Sequence, residues 1–126
     1  VRGALAGLVA VIENVENARG DMLTSLMLCG TMFGLRVWRH RYFEFVGMAC
    51  PALGPATCHH VGHPVTVRAG SNARRAQGGR RRLGLERSSM ECEWMTGGEL
   101  TEAIPPAYTE WIGRRLLAAL EGRSRG

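Results

Sequence analysis

Apolar residues crowd most densely near the start of the chain. In Val9-Ala-Val-Ile-Glu-Asn-Val15 five of seven residues are apolar and four are β-branched. A short continuous apolar run reads as a buried strand, typically one inside a parallel sheet. It predicts a strand over 9–12 that stops on Glu13 and Asn14. Residues 1–8 read as a helix end and a glycine turn leading into it. Polar residues 16–21 follow, with Gly20-Asp21 marking a turn or a helix start. The apolar stretch 22–29 predicts a brief strand over 26–29, and the glycines at 30 and 34 bracket a tight turn or one helical turn. Aromatic and β-branched residues return over 37–45 and predict a further strand. Period two places Val37, Arg39, Arg41 and Phe43 on one face of it, and Trp38, His40, Tyr42 and Glu44 on the other.

Beyond residue 46 the pattern changes. Gly, Pro, His and Arg dominate 47–87, with a strand signal only at 65–68 and a flexible-loop composition over 70–79. Regular patterning resumes near Met90. Thr96 and Glu99 have capping-box spacing and predict a short helix over 97–103. Pro105-Pro106 ends it and opens a second helix, since proline is welcome in a first turn. There Trp111, Ile112, Arg115, Leu116, Ala119 and Leu120 recur at three and four, so one stripe of the 106–120 helix should pack on the sheet. The expected class is α/β, in three parts: a scaffold over 1–46, an inserted segment over 47–88, and a return to the scaffold over 89–126.

Charge sharpens this division. All sixteen basic residues are Arg. Seven of them fall between positions 68 and 87, where Glu86 is the single acid. Such a segment favours a polyanionic partner, and Arg pairs bidentately with phosphate or guanine. Arg68, Arg74, Arg75, Arg80, Arg81 and Arg82 are the candidate DNA contacts; the plain alternative is a solvated arginine loop. Cysteines at 29, 50, 58 and 92 suggest no disulfide scaffold, which makes a reducing cytoplasm the expected setting. Cys50, Cys58, His60 and His63 are of zinc-ligating type, but their spacing fits no standard finger, so the sequence predicts no stoichiometric zinc. No apolar run approaches membrane-spanning length.

Two places invite chemistry. A carboxylate at the carboxyl end of a strand, as at Glu13, faces the crevice where open α/β sheets bind ligands, beside apolar walls; the plain alternative is a strand that ends in a solvated turn, since Glu-Asn is ordinary turn chemistry. Arg39 and Arg41, side by side on one strand face, would form a fork for an anion or a carbonyl oxygen. An ordinary strand face would instead pair one of them with Glu44 or another acid.

Taken in order, several stretches resemble the DNA (cytosine-5) methyltransferases, and most closely their short phage and actinobacterial members. They are Val11-Ile-Glu-Asn-Val15, Leu28-Cys-Gly-Thr-Met-Phe-Gly-Leu35, Arg39-His-Arg-Tyr-Phe-Glu44, Trp94-Met95 and Ala103-Ile-Pro-Pro-Ala-Tyr-Thr109. The resemblance covers both ends and skips 47–88, where that family carries its variable target-recognition segment. It implies the C-terminal part of a Rossmann-like, S-adenosylmethionine-dependent sheet acting on double-stranded DNA, monomeric when complete.

In that family a flipped cytosine is attacked at carbon 6 by a cysteine thiolate, after which carbon 5 takes the methyl group. Glu13 matches the acid that serves ring nitrogen 3, and Arg41 or Arg39 matches the residue that holds the cytosine carbonyl oxygen. Asn14 and Val15 would shape the pocket, while Thr101, Glu102 and Ala103 match the motif that closes over the cofactor. The chain departs from the pattern in four ways. It has no glycine-rich cofactor strand and no Pro-Cys dipeptide; Val37 replaces a common Gln, and Thr101-Glu102 a common Gly-Asn. The expectation is therefore a fragment that holds base recognition and lacks the nucleophile. A non-catalytic basic DNA-binding module is the alternative.

Overall fold

The computed structural model describes residues 2–67 and 79–125. The 9–15 run does form a strand, β1 (Ala10–Asn14). It is preceded by a 3-10 turn at Arg2–Leu5 and followed by another at Glu16–Asp21. A short β2 (Leu26–Leu28) leads into a 3-10 turn over Gly30–Phe33, and β3 (Arg41–Val46) completes the sheet. Gly30 sits so close to Val37 that a Cβ there would lie 2.1 Å from the Val37 carbonyl oxygen, so only glycine lets the turn close.

The strand order is β1-β3-β2, with both pairings antiparallel. This corrects the parallel-sheet expectation. A continuous apolar run reports that both faces of a strand are partly covered; it says nothing about the direction of its neighbour. Strand β3 starts later than the sequence suggests, so 37–40 is a lead-in and Arg39 lies outside β3.

Register decides what the sheet faces. Glu13 pairs with Phe43, Val11 with Phe45, Leu26 with Phe43 and Leu28 with Arg41. Alternation then puts Val11, Glu13, Leu26, Leu28, Arg41, Phe43 and Phe45 on one side. The apolar members of that set form the main core with Tyr108 and Ile112. The last two belong to α3 (Pro106–Ser124), so this helix covers the sheet as its stripe predicts. The opposite side meets the Glu16–Asp21 turn, where Tyr42 donates to Glu16 Oε2 at 2.7 Å and the Leu23 amide donates to Glu44 Oε2 at 3.3 Å.

A second core joins Val37, Met90, Cys92 and Leu100. It is built by α1 (Gly79–Met90) and α2 (Gly97–Glu102). The Thr96/Glu99 capping box forms in full at the start of α2. Helix α1 corrects the loop-rich reading of 47–88: Arg80, Arg81 and Arg82 are helical, and the boundary drawn at 88/89 falls inside the helix. Residues 47–67 carry no regular element, and Val65 meets the lead-in through one backbone bond to Arg36 O at 2.8 Å, so no strand forms over 65–67. Arg68, Arg74 and Arg75, and the 70–78 part of the expected loop, lie outside the described residues. Among the described residues no helix is long and apolar enough to cross a membrane.

Candidate functional site

Glu13 and Arg41 stand diagonally opposite on neighbouring strands, on the same side of the sheet, as the Glu13↔Phe43 pairing requires. Their side chains meet: Arg41 Nε lies 3.0 Å from Glu13 Oε1, with side-chain exposures of 17% and 33%. Arg41 Nη1 also donates to the His40 carbonyl at 2.9 Å. An acid and a base are thereby fixed at the edge of the main core, within reach of solvent. The apolar wall that strand-end placement suggested for Glu13 is replaced by a guanidinium. Asn14 turns back on the chain, its Oδ1 accepting from the Val15 amide at 3.0 Å, and Val15 is exposed.

Arg39 takes a different path. Its Nη2 donates to the Thr101 carbonyl, and its Nε is buried without a hydrogen-bond partner among the described residues. Burial holds its pKa below the usual guanidinium value and nearby Arg41 adds to this, while Tyr108, Glu102 and Glu13 oppose it. The Arg39 carbonyl accepts from the Tyr108 hydroxyl at 2.6 Å. The two arginines therefore do not project as a side-by-side fork. Arg41 reads the β1 end and Arg39 ties the lead-in to the C-terminal helices. A cavity of about 370 Å³ runs beside them, lined by Trp38, Arg39, His40, Arg41, Pro64 and Val67 among others; Glu13 is not part of its wall.

Of the cofactor-motif residues, Thr101 gives its carbonyl to Arg39 and its hydroxyl to Gly98 O at 2.6 Å. Ala103 closes α2 through its amide to Glu99 O, and Glu102 is exposed. So the structure brings Thr101 to Arg39, and Arg39 beside Arg41 and Glu13. Among the DNA-contact candidates, Arg80 and Arg81 are exposed, whereas Arg82 is turned inward. Its Nε lies 3.0 Å from Oε1 of Glu86, which is 1% exposed, and its Nη2 donates to Thr66 O at 3.3 Å.

A second cluster was only half legible in the sequence, which pointed to Cys58 and His60 but not to Cys29 and His40. Cys29, His40, Cys58 and His60 bring their ligating atoms within 4.8 Å of one another. Cys29 and His40 are each one residue beyond the Leu28↔Arg41 pair, so the β2–β3 register sets them opposite each other. Cys58 and His60 come from the irregular segment after β3. Burial and neighbouring His60 hold His40 below the usual imidazole pKa; burial and Cys29 push the Cys58 thiol up. Cys50 and His63, the other members of the set chosen from sequence, stand outside the cluster, with the Cys50 thiol on Pro51 O at 3.6 Å. Comparison of the chain with protein-family models, curated proteins and solved structures yields no match.

Proposed function

We propose that the chain is the base-recognition part of a DNA cytosine-5 methyltransferase. The single observation that carries this reading is the Glu13–Arg41 pair, which joins two separately recognised motifs at 3.0 Å. In this reading a flipped cytosine docks against the pair. Arg41, already held at Nε and Nη1, offers Nη2 to the cytosine carbonyl oxygen. Glu13 keeps Oε1 on Arg41 and, in its protonated form, presents the Oε2 hydroxyl to ring nitrogen 3; that proton passes to nitrogen 3 as the thiolate adds to carbon 6, leaving a carboxylate paired with Arg41. Of the two arginines the geometry favours Arg41 for the base contact, because Arg39 is committed to Thr101 O. S-adenosylmethionine supplies the methyl group and double-stranded DNA the base. In this reading Thr101, Glu102 and Ala103 would serve the cofactor, with Thr101 tied to Arg39 through its carbonyl.

The 126 residues contain no Pro-Cys dipeptide. The test therefore joins the chain to a polypeptide carrying Pro-Cys and the glycine-rich cofactor motif, and measures tritiated methyl transfer to DNA. The chain alone should transfer none, because carbon 5 is too weak a nucleophile without prior addition at carbon 6. The joined enzyme should be active. Glu13→Gln should lower its rate by about 10²–10⁴-fold, since Gln hydrogen-bonds but delivers no proton. Arg41→Ala should lower it too, by misplacing the base. Robust transfer by the isolated chain, or full activity of Glu13→Gln, would overturn the proposal. DNA binding by a joined protein that never transfers methyl would favour the non-catalytic module.

A further inference from the structure

We propose that Cys29, His40, Cys58 and His60 form a structural zinc site. Such a site is independent of any methyl transfer. Zinc binds thiolate at about 2.3 Å and imidazole at about 2.0–2.1 Å in a tetrahedron. The edges of such a tetrahedron are about 3.3 Å between two nitrogens and about 3.6 Å between nitrogen and sulfur. In this protein the Nε2 atoms of His40 and His60 are 3.1 Å apart. Sγ of Cys29 and of Cys58 each lie 3.4 Å from His60 Nε2, and Cys58 Sγ lies 3.7 Å from His40 Nε2. Four donor atoms from three separate stretches thus stand within 4.8 Å of one another, close to the corners that one zinc ion requires.

The surroundings fit a closed site. Cys29 is fully buried. Thr31 Oγ1 donates to Cys29 Sγ at 3.3 Å and reaches Cys58 Sγ at 3.9 Å, and is itself held by the His59 amide at 3.2 Å. Outer-shell bonds of this kind orient ligands and tune thiolates. The Trp38 ring lies parallel to His60 at 4.3 Å, which fixes the imidazole plane. His59 is turned away, its Nδ1 on Thr57 O at 3.2 Å. Two thiolates neutralise the dication and two neutral imidazoles complete the shell; both thiol protons leave to solvent on binding. No carboxylate takes part, which favours zinc over calcium or magnesium.

The ion would clamp the irregular segment after β3 onto the β2–β3 ends. It would also pin His40, the residue between Arg39 and Arg41. The test uses the full chain expressed with zinc and analysed for metal. About one zinc per chain is expected. It should fall to near zero in Cys58→Ser and in His60→Ala, both in the irregular segment, and persist in Cys50→Ser and His63→Ala. Cobalt substitution of the wild type should give the intense visible bands of a tetrahedral ion with thiolate charge transfer. This readout does not depend on any variant folding. Chelation should lower the wild-type melting temperature. Absence of stoichiometric zinc from the wild type, an octahedral cobalt spectrum, or zinc retained by Cys58→Ser and His60→Ala would overturn the proposal.

Discussion

Single side chains here do work that their position in the sequence only partly announces. Glu99 is the legible case. Its carboxylate accepts the Thr96 amide at 2.6 Å, and that bond, with the Thr96 side chain second, holds its pKa below the usual 4.5. A depressed carboxylate contributes stability above its unfolded value, and loses it as pH falls through the folded one. Glu99→Gln should therefore melt lower than wild type at neutral pH, with the gap closing as both are acidified below about pH 4. Melting curves from pH 7 to pH 2 would check this; a gap that persists at pH 2 would refute it. Thr96→Ala should cost about 1 kcal/mol at neutral pH through loss of the cap. Tyr108 is the case that the sequence hides. It read as part of a terminal motif, yet it is fully buried, stacks on Phe33 at 5.0 Å and donates to Arg39 O. Tyr108→Phe should cost about 1–3 kcal/mol, the desolvation penalty of a buried carbonyl left unpaired. Urea unfolding monitored by tryptophan fluorescence would measure it.

Helix α1 shows how an element sorts residues that composition treats alike. The Arg80-Arg-Arg82 run reads as three equal phosphate contacts. Folding into Gly79–Met90 leaves Arg80 and Arg81 exposed and turns Arg82 onto buried Glu86, one helical turn on. If DNA is the partner, Arg80 and Arg81 carry the electrostatics. Replacing both by Ala should flatten the plot of log affinity against log salt by about 1.8, at about 0.9 for each phosphate contact. Arg82→Ala should leave that slope unchanged and instead destabilise the protein, because it removes the 3.0 Å ion-pair contact from buried Glu86. Filter binding at several salt concentrations, beside thermal unfolding of the same variants, separates the two. Equal slope changes for Arg81→Ala and Arg82→Ala would contradict the assignment. Helix α3 is a milder lesson. Its stripe packs at Trp111 and Ile112, while Leu120 stays exposed. Periodicity marks a face without saying how much of it is covered.

At the scale of the molecule, two small cores are joined by the 37–40 lead-in. Val37 enters one core, while Arg39 reaches from beside the other to the C-terminal helices. The proposed zinc would fasten the same lead-in from the side of the irregular segment. Pattern alone determined the presence of β1, β2 and β3, the glycine-bracketed turn, the capping box and the α3 stripe. These are local: each follows from side-chain periodicity or from a cap a few residues away. Glu13 could be picked out for the same reason, as a charge at the end of an apolar run, and Arg41 as one of two arginines on one strand face. What only the tertiary structure decided is pairing. Antiparallel order, the 3.0 Å meeting of Glu13 with Arg41, the diversion of Arg39 to Thr101, and the inward turn of Arg82 all depend on register and packing between distant segments. The cysteine–histidine quartet is the clearest instance. Ligand type singled out Cys50, Cys58, His60 and His63, which are neighbours in the chain, while their spacing fits no standard finger. Strand register and the path of the segment after β3 chose Cys29 and His40 instead, because ligands are selected by distance in space.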